Sequence, residues 1–137
     1  DLLIPVNITV TDKYKIGVNI DVLEIKVKAG QNISVFTELT KTKQRKIDPH
    51  LEGKITVNLL YNVLKGKEFI TNLSTTMDVV DYNADTVSIR IPLNSTKGGY
   101  RVEVTATHLG KTDNDKDNFQ VTNNLAGKFL NFLKQLI

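Results

Sequence analysis

Hydrophobic and polar residues alternate over most of this chain, and β-branched residues carry much of the alternation. The pattern is clearest in eight short runs, at residues 6–10, 18–22, 23–27, 33–39, 55–61, 87–91, 100–106 and 119–121. Because successive side chains of a strand point to opposite faces, each run predicts a strand with one buried and one solvated face. Many short strands of this kind favour an all-β fold, an antiparallel two-sheet sandwich of about 7–9 strands.

Turn-forming residues separate most of these runs. The stretch 29–32 is predicted to form a turn between strands, and Gly66 is predicted to supply a positive φ in a hairpin turn over Lys65–Lys67. Residues 94–99 and 109–115 are predicted to be loops because they are rich in Asn, Asp, Gly and Ser or Thr. The alternation changes phase between Val22 and Leu23, which predicts a bulge or a switch of the chain from one sheet to the other.

The C-terminal tail follows a different period. Apolar residues recur there at spacings of three and four, which predicts an amphipathic helix of about 13 residues. The predicted organisation is therefore a sandwich over 1–123 and a helix over 124–137, with 1–28 supplying first strands that serve as an edge or a donated strand. The helix has three interpretations: it packs on the sandwich, it docks on a neighbour or a membrane surface, or it continues toward a membrane span.

Composition excludes several classes of chemistry. The 137 residues include no Cys and no Trp, which excludes a disulfide framework, a thiol nucleophile, an iron–sulfur cluster and a cysteine zinc site. The net charge is only +3, and no aromatic residues interleave with the basic run 41–46, so we expect no nucleic-acid partner. That run is interpreted as a charged strand edge. The chain lacks an initiator Met and opens on a strand-like segment, so we interpret it as a mature product or an excised domain.

No motif for catalysis is visible in the sequence. His50 and His108 are the only histidines, and no G-x-S-x-G elbow or Gly-rich phosphate loop accompanies them. We therefore expect a protein that is not an enzyme and that needs no cofactor.

An acidic cluster at 113–118 is the one candidate metal site. Carboxylates at alternate positions gather the hard oxygen ligands that calcium prefers. The candidate ligands are Asp113, Asp115 and Asp117. The alternative interpretation is a solvated hairpin tip, where Asp and Asn are common turn formers.

Four N-x-S/T sequons mark candidate glycosylation sites. Their asparagines are Asn7, Asn32, Asn72 and Asn94. The alternative is that strands rich in Asn and Thr produce such triplets by chance.

Two apolar segments are candidates for protein–protein contact. The first opens the chain and suits pairing along a sheet edge, whereas the second is the apolar stripe of the predicted tail helix. The candidate interaction residues are Leu2, Leu3, Ile4, Val6, Phe129, Leu133 and Leu136. The expected partner is protein, either a second copy or a surface-layer component, with membrane proximity through the helix.

Three segments of the sequence resemble immunoglobulin-like sandwich modules of bacterial and archaeal surface proteins. They are residues 27–35, residues 53–60 with the hairpin after them, and residues 98–106 followed by 118–121. Tyr100 stands where such modules place a tyrosine whose hydroxyl bonds back to a nearby loop. The resemblance covers about 95 of the 137 residues and lacks the Cys…Trp…Cys pattern of antibody domains.

The resemblance implies an extracellular module at the cell surface. Such modules serve adhesion, surface-layer or filament assembly, or spacing. Loop-mediated binding of calcium or carbohydrate is the alternative function, with the 113–117 cluster and the Gly98–Gly99 turn as its site.

Overall fold

The computed structural model describes residues 14–43 and 53–122, and within these ranges every regular element is a strand. The predicted all-β class is therefore confirmed for these residues. The strands are β1 (Tyr14–Val22), β2 (Lys26–Lys28), β3 (Asn32–Lys43), β4 (Ile55–Lys65), β5 (Glu68–Val79), β6 (Tyr82–Arg90), β7 (Gly98–His108) and β8 (Lys111–Thr122). The helix predicted over 124–137 lies outside the described residues, as do the apolar residues of the N-terminal segment.

These strands form two sheets. The smaller sheet has the order β1-β3-β6 and the larger has the order β2-β8-β7-β4-β5. All pairings are antiparallel except that of β2 with β8, which is parallel. The buried side chains of both sheets belong to one hydrophobic cluster, with Leu39, Tyr61 and Val104 among them. The two sheets thus share a core.

A buried hydrogen bond joins the sheets inside that core. Thr37 Oγ1 on β3 lies 2.6 Å from the Tyr61 hydroxyl on β4, so each satisfies a group that water does not reach. Burial raises the pKa of Tyr61, and the phenol therefore stays neutral.

The phase change at Val22 marks a switch between sheets, as predicted. β1 belongs to the three-stranded sheet, whereas β2, which begins after three intervening residues, pairs with β8 in the other sheet. The expectation that 23–27 forms one half-buried strand is wrong in detail. Leu23 and Ile25 are 54% and 78% exposed, because they span the crossing before Val27 re-enters the core.

Two further expectations need correction. The loop predicted over 109–115 is only a two-residue turn, Leu109–Gly110, and the acidic cluster lies on strand β8. Lys41 is not on a charged edge: β3 is the central strand of its sheet, and Lys41 is only 4% exposed. Its ammonium donates to the Gly53 carbonyl at 2.6 Å and lies 5.9 Å from the centre of the Tyr14 ring.

The predicted turns at 29–32 and 65–67 are confirmed. Gly30 has φ 89° and Gly66 has φ 63°, the left-handed region that glycine adopts without steric cost. β5, which follows Gly66, has no counterpart among the predicted strands.

Candidate functional site: the edges of the two sheets

The hydrogen-bonding direction of each edge strand follows from its pairing. In an antiparallel ladder, the N–H and C=O of one residue point to the same side, and the side alternates from residue to residue. On β1, the even-numbered residues point away from β3, since the amides of Val18, Ile20 and Val22 bond to groups outside the sheet. The edges can therefore be compared amide by amide.

The β1 edge is closed by carboxylates rather than by a strand. Val18, Ile20 and Val22 donate their backbone N–H groups to side chains of β8 at 2.8–2.9 Å. The acceptors are Oδ2 of Asp113, Asp115 and Asp117 respectively. We call these three residues the aspartate ladder. It connects the smaller sheet to the larger one along one side of the molecule.

The aspartate ladder forms because β1 and β8 share a two-residue repeat. Outward N–H groups recur every second residue along β1, and side chains on one face of β8 recur every second residue too. Each contact has the same sequence separation of 95, so the strands run in the same direction with a fixed offset. The i, i+2, i+4 spacing that suggested calcium therefore matches a neighbouring strand.

The metal interpretation gains no geometric support. Across residues 14–43 and 53–122, no group of three or more His, Cys, Asp and Glu side chains is arranged to hold a metal ion. Calcium binding by Asp113, Asp115 and Asp117 stays a prediction.

The β6 edge is partly closed by its own side chains. The backbone N–H of Ala84 bonds to Oδ1 of Asn83 at 2.9 Å, and that of Thr86 bonds to Oδ1 of Asp85 at 2.8 Å. Both amides point away from β3 and would otherwise face solvent. On β8, the N–H of Asn118 is closed in the same way by Asp117 Oδ1 at 2.9 Å.

The β5 edge differs from the others. Asn83 Nδ2 donates to the Asp78 carbonyl at 2.7 Å, so even-numbered residues near this end of β5 direct their main chain away from β4. Continuing the alternation, Asn72, Ser74 and Thr76 present outward N–H and C=O groups. Within the described ranges, no side chain or backbone group bonds to these three residues on that side. The free stretch is the candidate binding edge.

The side chains of β5 match this open main chain. From Phe69 to Met77 the strand carries no charge, no Pro and no Gly. A bulge at Ile70, where Val63 faces Thr71 but Leu64 faces Phe69, leaves the Phe69 side chain 56% exposed. Edge strands in monomers are commonly protected by charge, Pro or brevity, and this stretch has none of these protections.

Charges lie only at the ends of β5. At the far end, Thr56 Oγ1 donates to Asp78 Oδ1 at 2.7 Å, and the Lys54 ammonium lies 3.5 Å from the other carboxylate oxygen. The hydroxyl bond, with a smaller contribution from Lys54, holds the pKa of Asp78 below its usual value. Glu68 stands at the opposite end, and Lys67 lies in the turn just before it.

The outer face of the larger sheet holds a second candidate site. A shallow depression of about 510 Å³ lies over β5, β4 and β7. Its lining is uncharged and includes the side chains of Asn58, Leu60, Ser74, Thr76, Thr105 and Thr107. A smaller depression of about 330 Å³ adjoins it through Thr105 and reaches β8.

Other sequence-predicted residues are placed as follows. Asn32, Asn72 and Asn94 are exposed, so each could carry a glycan on the surface, whereas Asn7 lies outside the described residues. The Tyr100 hydroxyl donates to the Thr96 carbonyl at 2.5 Å, which confirms the predicted contact with the preceding loop.

His108 contacts no nucleophile or acid in the hydrogen bonds of the described residues. Its Nδ1 lies 2.9 Å from the Thr56 carbonyl oxygen, and its ring packs 6.1 Å from that of Tyr14. His50 lies outside the described residues. The absence of catalysis stays a prediction.

The interaction residues proposed from the sequence cannot be placed in this site, because Leu2, Leu3, Ile4, Val6, Phe129, Leu133 and Leu136 all lie outside the described ranges. Among the residues that the structure describes, no helix is long and apolar enough to cross a membrane.

The open β5 edge was missed by sequence reasoning. Its signal was the nine-residue stretch from Phe69 to Met77 without charge, Pro or Gly, which begins two residues after the Gly66 turn.

Comparison with known proteins supports the fold and does not identify a family. No protein-family model matches the sequence, and no curated protein does. Spo0M, a sporulation control protein from Bacillus subtilis, is similar with a TM-score of 0.56 at 12% identity, over 90% of this chain. The chain spans about half of Spo0M, 56% of its length.

A β-glucosidase from Listeria innocua is similar with a TM-score of 0.54 at 9% identity, over 80% of this chain and 16% of the enzyme. The CARDB domain of PF1109 from Pyrococcus furiosus has a TM-score of 0.47 at 9% identity, over 80% of this chain and 87% of that domain. At these identities the likeness to Spo0M and the β-glucosidase concerns the fold alone.

Proposed function

We propose that this chain is an immunoglobulin-like β-sandwich module of a cell-surface protein, without catalytic activity, that assembles by accepting a partner strand at β5. The observation that carries the proposal is the contrast between edges. Side chains close three outward amides of β1 and two of β6, whereas no group of residues 14–43 or 53–122 bonds to the outward main chain of Asn72, Ser74 and Thr76.

The two sheets around one core and the Tyr100 contact support the immunoglobulin-like character of the module. Strand addition at an edge draws its affinity from main-chain hydrogen bonds, and alternate side chains give specificity. An edge of uncharged residues suits this mode because a partner strand does not have to desolvate ionised groups.

The proposal can be tested with displayed peptides. Random peptides of twelve residues would be selected on the immobilised domain, and the selected clones would be mapped by amide hydrogen exchange. We expect binding to slow exchange at Asn72, Ser74 and Thr76 and to be lost in Ser74→Pro, which removes an outward N–H without touching the bonds to β4.

Ser88→Pro is the matched control, because Ser88 occupies an equivalent outward position on β6. Peptides that protect other strands, or that bind Ser74→Pro as well as the parent, would contradict strand addition at β5. Melting temperatures of both variants would verify that each remains folded.

A second candidate function rests on the outer face. The 510 Å³ depression offers neutral hydroxyl and amide groups around the apolar surface of Leu60. This chemistry suits a neutral sugar, whose rings carry hydroxyl groups at their edges and C–H groups on their faces. Carbohydrate binding in this depression would use the outer face of the sheet instead of the loops that the sequence suggested.

Titration with cellohexaose and maltohexaose, followed by amide chemical shifts, tests this candidate. Shifts confined to the lining residues, and their loss in Thr105→Asp, would support it. Unchanged spectra at millimolar sugar would reject carbohydrate binding for the linkages found in cellohexaose and maltohexaose.

A further inference from the structure

We propose that the strand accepted by β5 is β5 of a second copy of this chain, paired antiparallel about a two-fold axis through Leu73. The inference rests on the proposed function, since it names the partner of the same edge. It joins the two larger sheets of a dimer into one continuous sheet.

Symmetry and main-chain direction agree at this position. An axis perpendicular to the sheet brings Asn72 opposite Ser74 of the partner subunit, and Ser74 opposite the partner's Asn72. Asn72 and Ser74 both direct their main chain outward, so each such pair exchanges two hydrogen bonds. Leu73 then faces the partner's Leu73 as a pair without hydrogen bonds, in which the side chains approach most closely.

The bulge at Ile70 sets the pairing at the ends. It places Phe69 one step beyond Thr71 along the strand, where an unbulged strand would have residue 70. Counting from Leu73, Lys67, which lies in the turn just before β5, therefore comes level with the partner subunit's Asp78. Asn83 already bonds the outward carbonyl of Asp78, so main-chain pairing ends at Thr76 and only the side chains of Lys67 and the partner's Asp78 approach each other. Without the bulge, Glu68 would face Asp78 of the partner subunit, and two carboxylates would repel each other.

With the bulge, the end charges of this register attract rather than repel each other. Each end of the paired strands gains an attraction between the Lys67 ammonium and the partner's Asp78 carboxylate. Between the ends lie only uncharged residues, which add no electrostatic cost to association. Asp78 retains its contacts with Thr56 and Lys54, which lie on the β4 side of the strand.

Charge reversal tests the register. The wild-type chain should show a concentration-dependent dimer in sedimentation equilibrium. Lys67→Glu and Asp78→Lys should each weaken it by about tenfold or more, because two symmetric attractions become repulsions. The double variant K67E/D78K should recover most of the affinity. A double variant as weak as the single variants, with all melting temperatures preserved, would overturn the register.

Cysteine cross-linking tests the axis directly, because the chain contains no native Cys. Leu73→Cys should form a disulfide-linked dimer under mild oxidation, since the two residues at the axis face each other. Thr76→Cys is the control: the two copies of this residue would lie six positions apart, about 20 Å. Equal cross-linking of both variants, or none in L73C, would overturn the proposal.

The outcomes separate this inference from the proposed function. A chain that stays monomeric at millimolar concentration, yet binds selected peptides along β5, rejects self-pairing and leaves strand addition standing. A chain that neither dimerises nor binds peptides at β5 rejects both.

Discussion

The two sides of this molecule differ in how the outward main-chain groups of their edge strands are satisfied. On one side, β1 and β8 border the gap between the sheets, and three carboxylates of β8 occupy the outward amides of β1. On the other side, β6 and β5 border the gap, and β5 keeps a row of main-chain groups to which nothing bonds in the part of the chain that the structure describes. Exposed main chain is a template for pairing with another strand. This difference is the basis for proposing β5 as the edge that accepts a partner strand.

The closed side also explains why a sheet can end at β1 without a covering strand. A carboxylate accepts an N–H bond more strongly than a neutral group does, and its charge discourages the approach of another strand. An aspartate at every second position of β8 therefore stabilises the contact between the sheets and blocks the edge at the same time.

Removing the aspartate ladder should have the largest effect. We expect Asp113→Ala, Asp115→Ala and Asp117→Ala together to lower the free energy of unfolding by about 3 kcal/mol or more, because three amides lose charged acceptors. Urea denaturation would measure the loss. The pair Asn114→Ala and Lys116→Ala, on the opposite face of β8, should change it by less than about 0.5 kcal/mol. Equal losses in the two sets would contradict the ladder's role.

A single substitution sharpens the same comparison. Asp115→Ala should destabilise by about 1–2 kcal/mol, whereas Asp115→Asn should cost less, since its amide oxygen can still accept from Ile20. Thermal unfolding would rank the two variants. If both lose the same amount, the negative charge and not the hydrogen bond holds β1.

Opening the β6 edge should make it resemble β5. Asp85→Ala removes the side chain that occupies the outward amide of Thr86 and leaves the bond from Asn83 to β5 in place. We expect the free energy of unfolding to fall by about 1 kcal/mol and self-association to increase. Light scattering during storage would follow the association. A variant that remains as monodisperse as the parent would show that the Asp85 side chain does not protect the β6 edge.

The smallest expected effect lies at the hairpin between β7 and β8. Leu109 has φ 47° and Gly110 has φ 81°, the signs of a type I′ turn, in which Asn-Gly is preferred. Because the Leu109 side chain is 83% exposed, Leu109→Asn should raise the free energy of unfolding by about 0.5–1 kcal/mol. A melting temperature at or below the parent value would contradict this assignment of strain.

Local patterns predicted much of the fold. Alternation identified the all-β class, the phase change at Val22 identified the switch between sheets, and Gly66 identified a hairpin. β5 was not predicted as a strand, because most of its residues are polar and its core-facing side is only partly buried, as expected for an edge strand.

The candidate site was less predictable because it depends on distant contacts. The spacing of Asp113, Asp115 and Asp117 is visible in the sequence, but their partners lie 95 residues away. The same spacing fits a calcium loop or a strand face, and only the position of β1 distinguishes them. Likewise, an edge is open or closed according to what lies beside it, which no local pattern contains.

Amide hydrogen exchange at a concentration where the chain is monomeric tests the central contrast most directly. The edge amides of Val18, Ile20 and Val22 should exchange slowly, as those inside a sheet do, because carboxylates hold them. The amides of Asn72, Ser74 and Thr76 should exchange orders of magnitude faster. Equal rates at the two edges, or faster exchange along β1, would contradict the account.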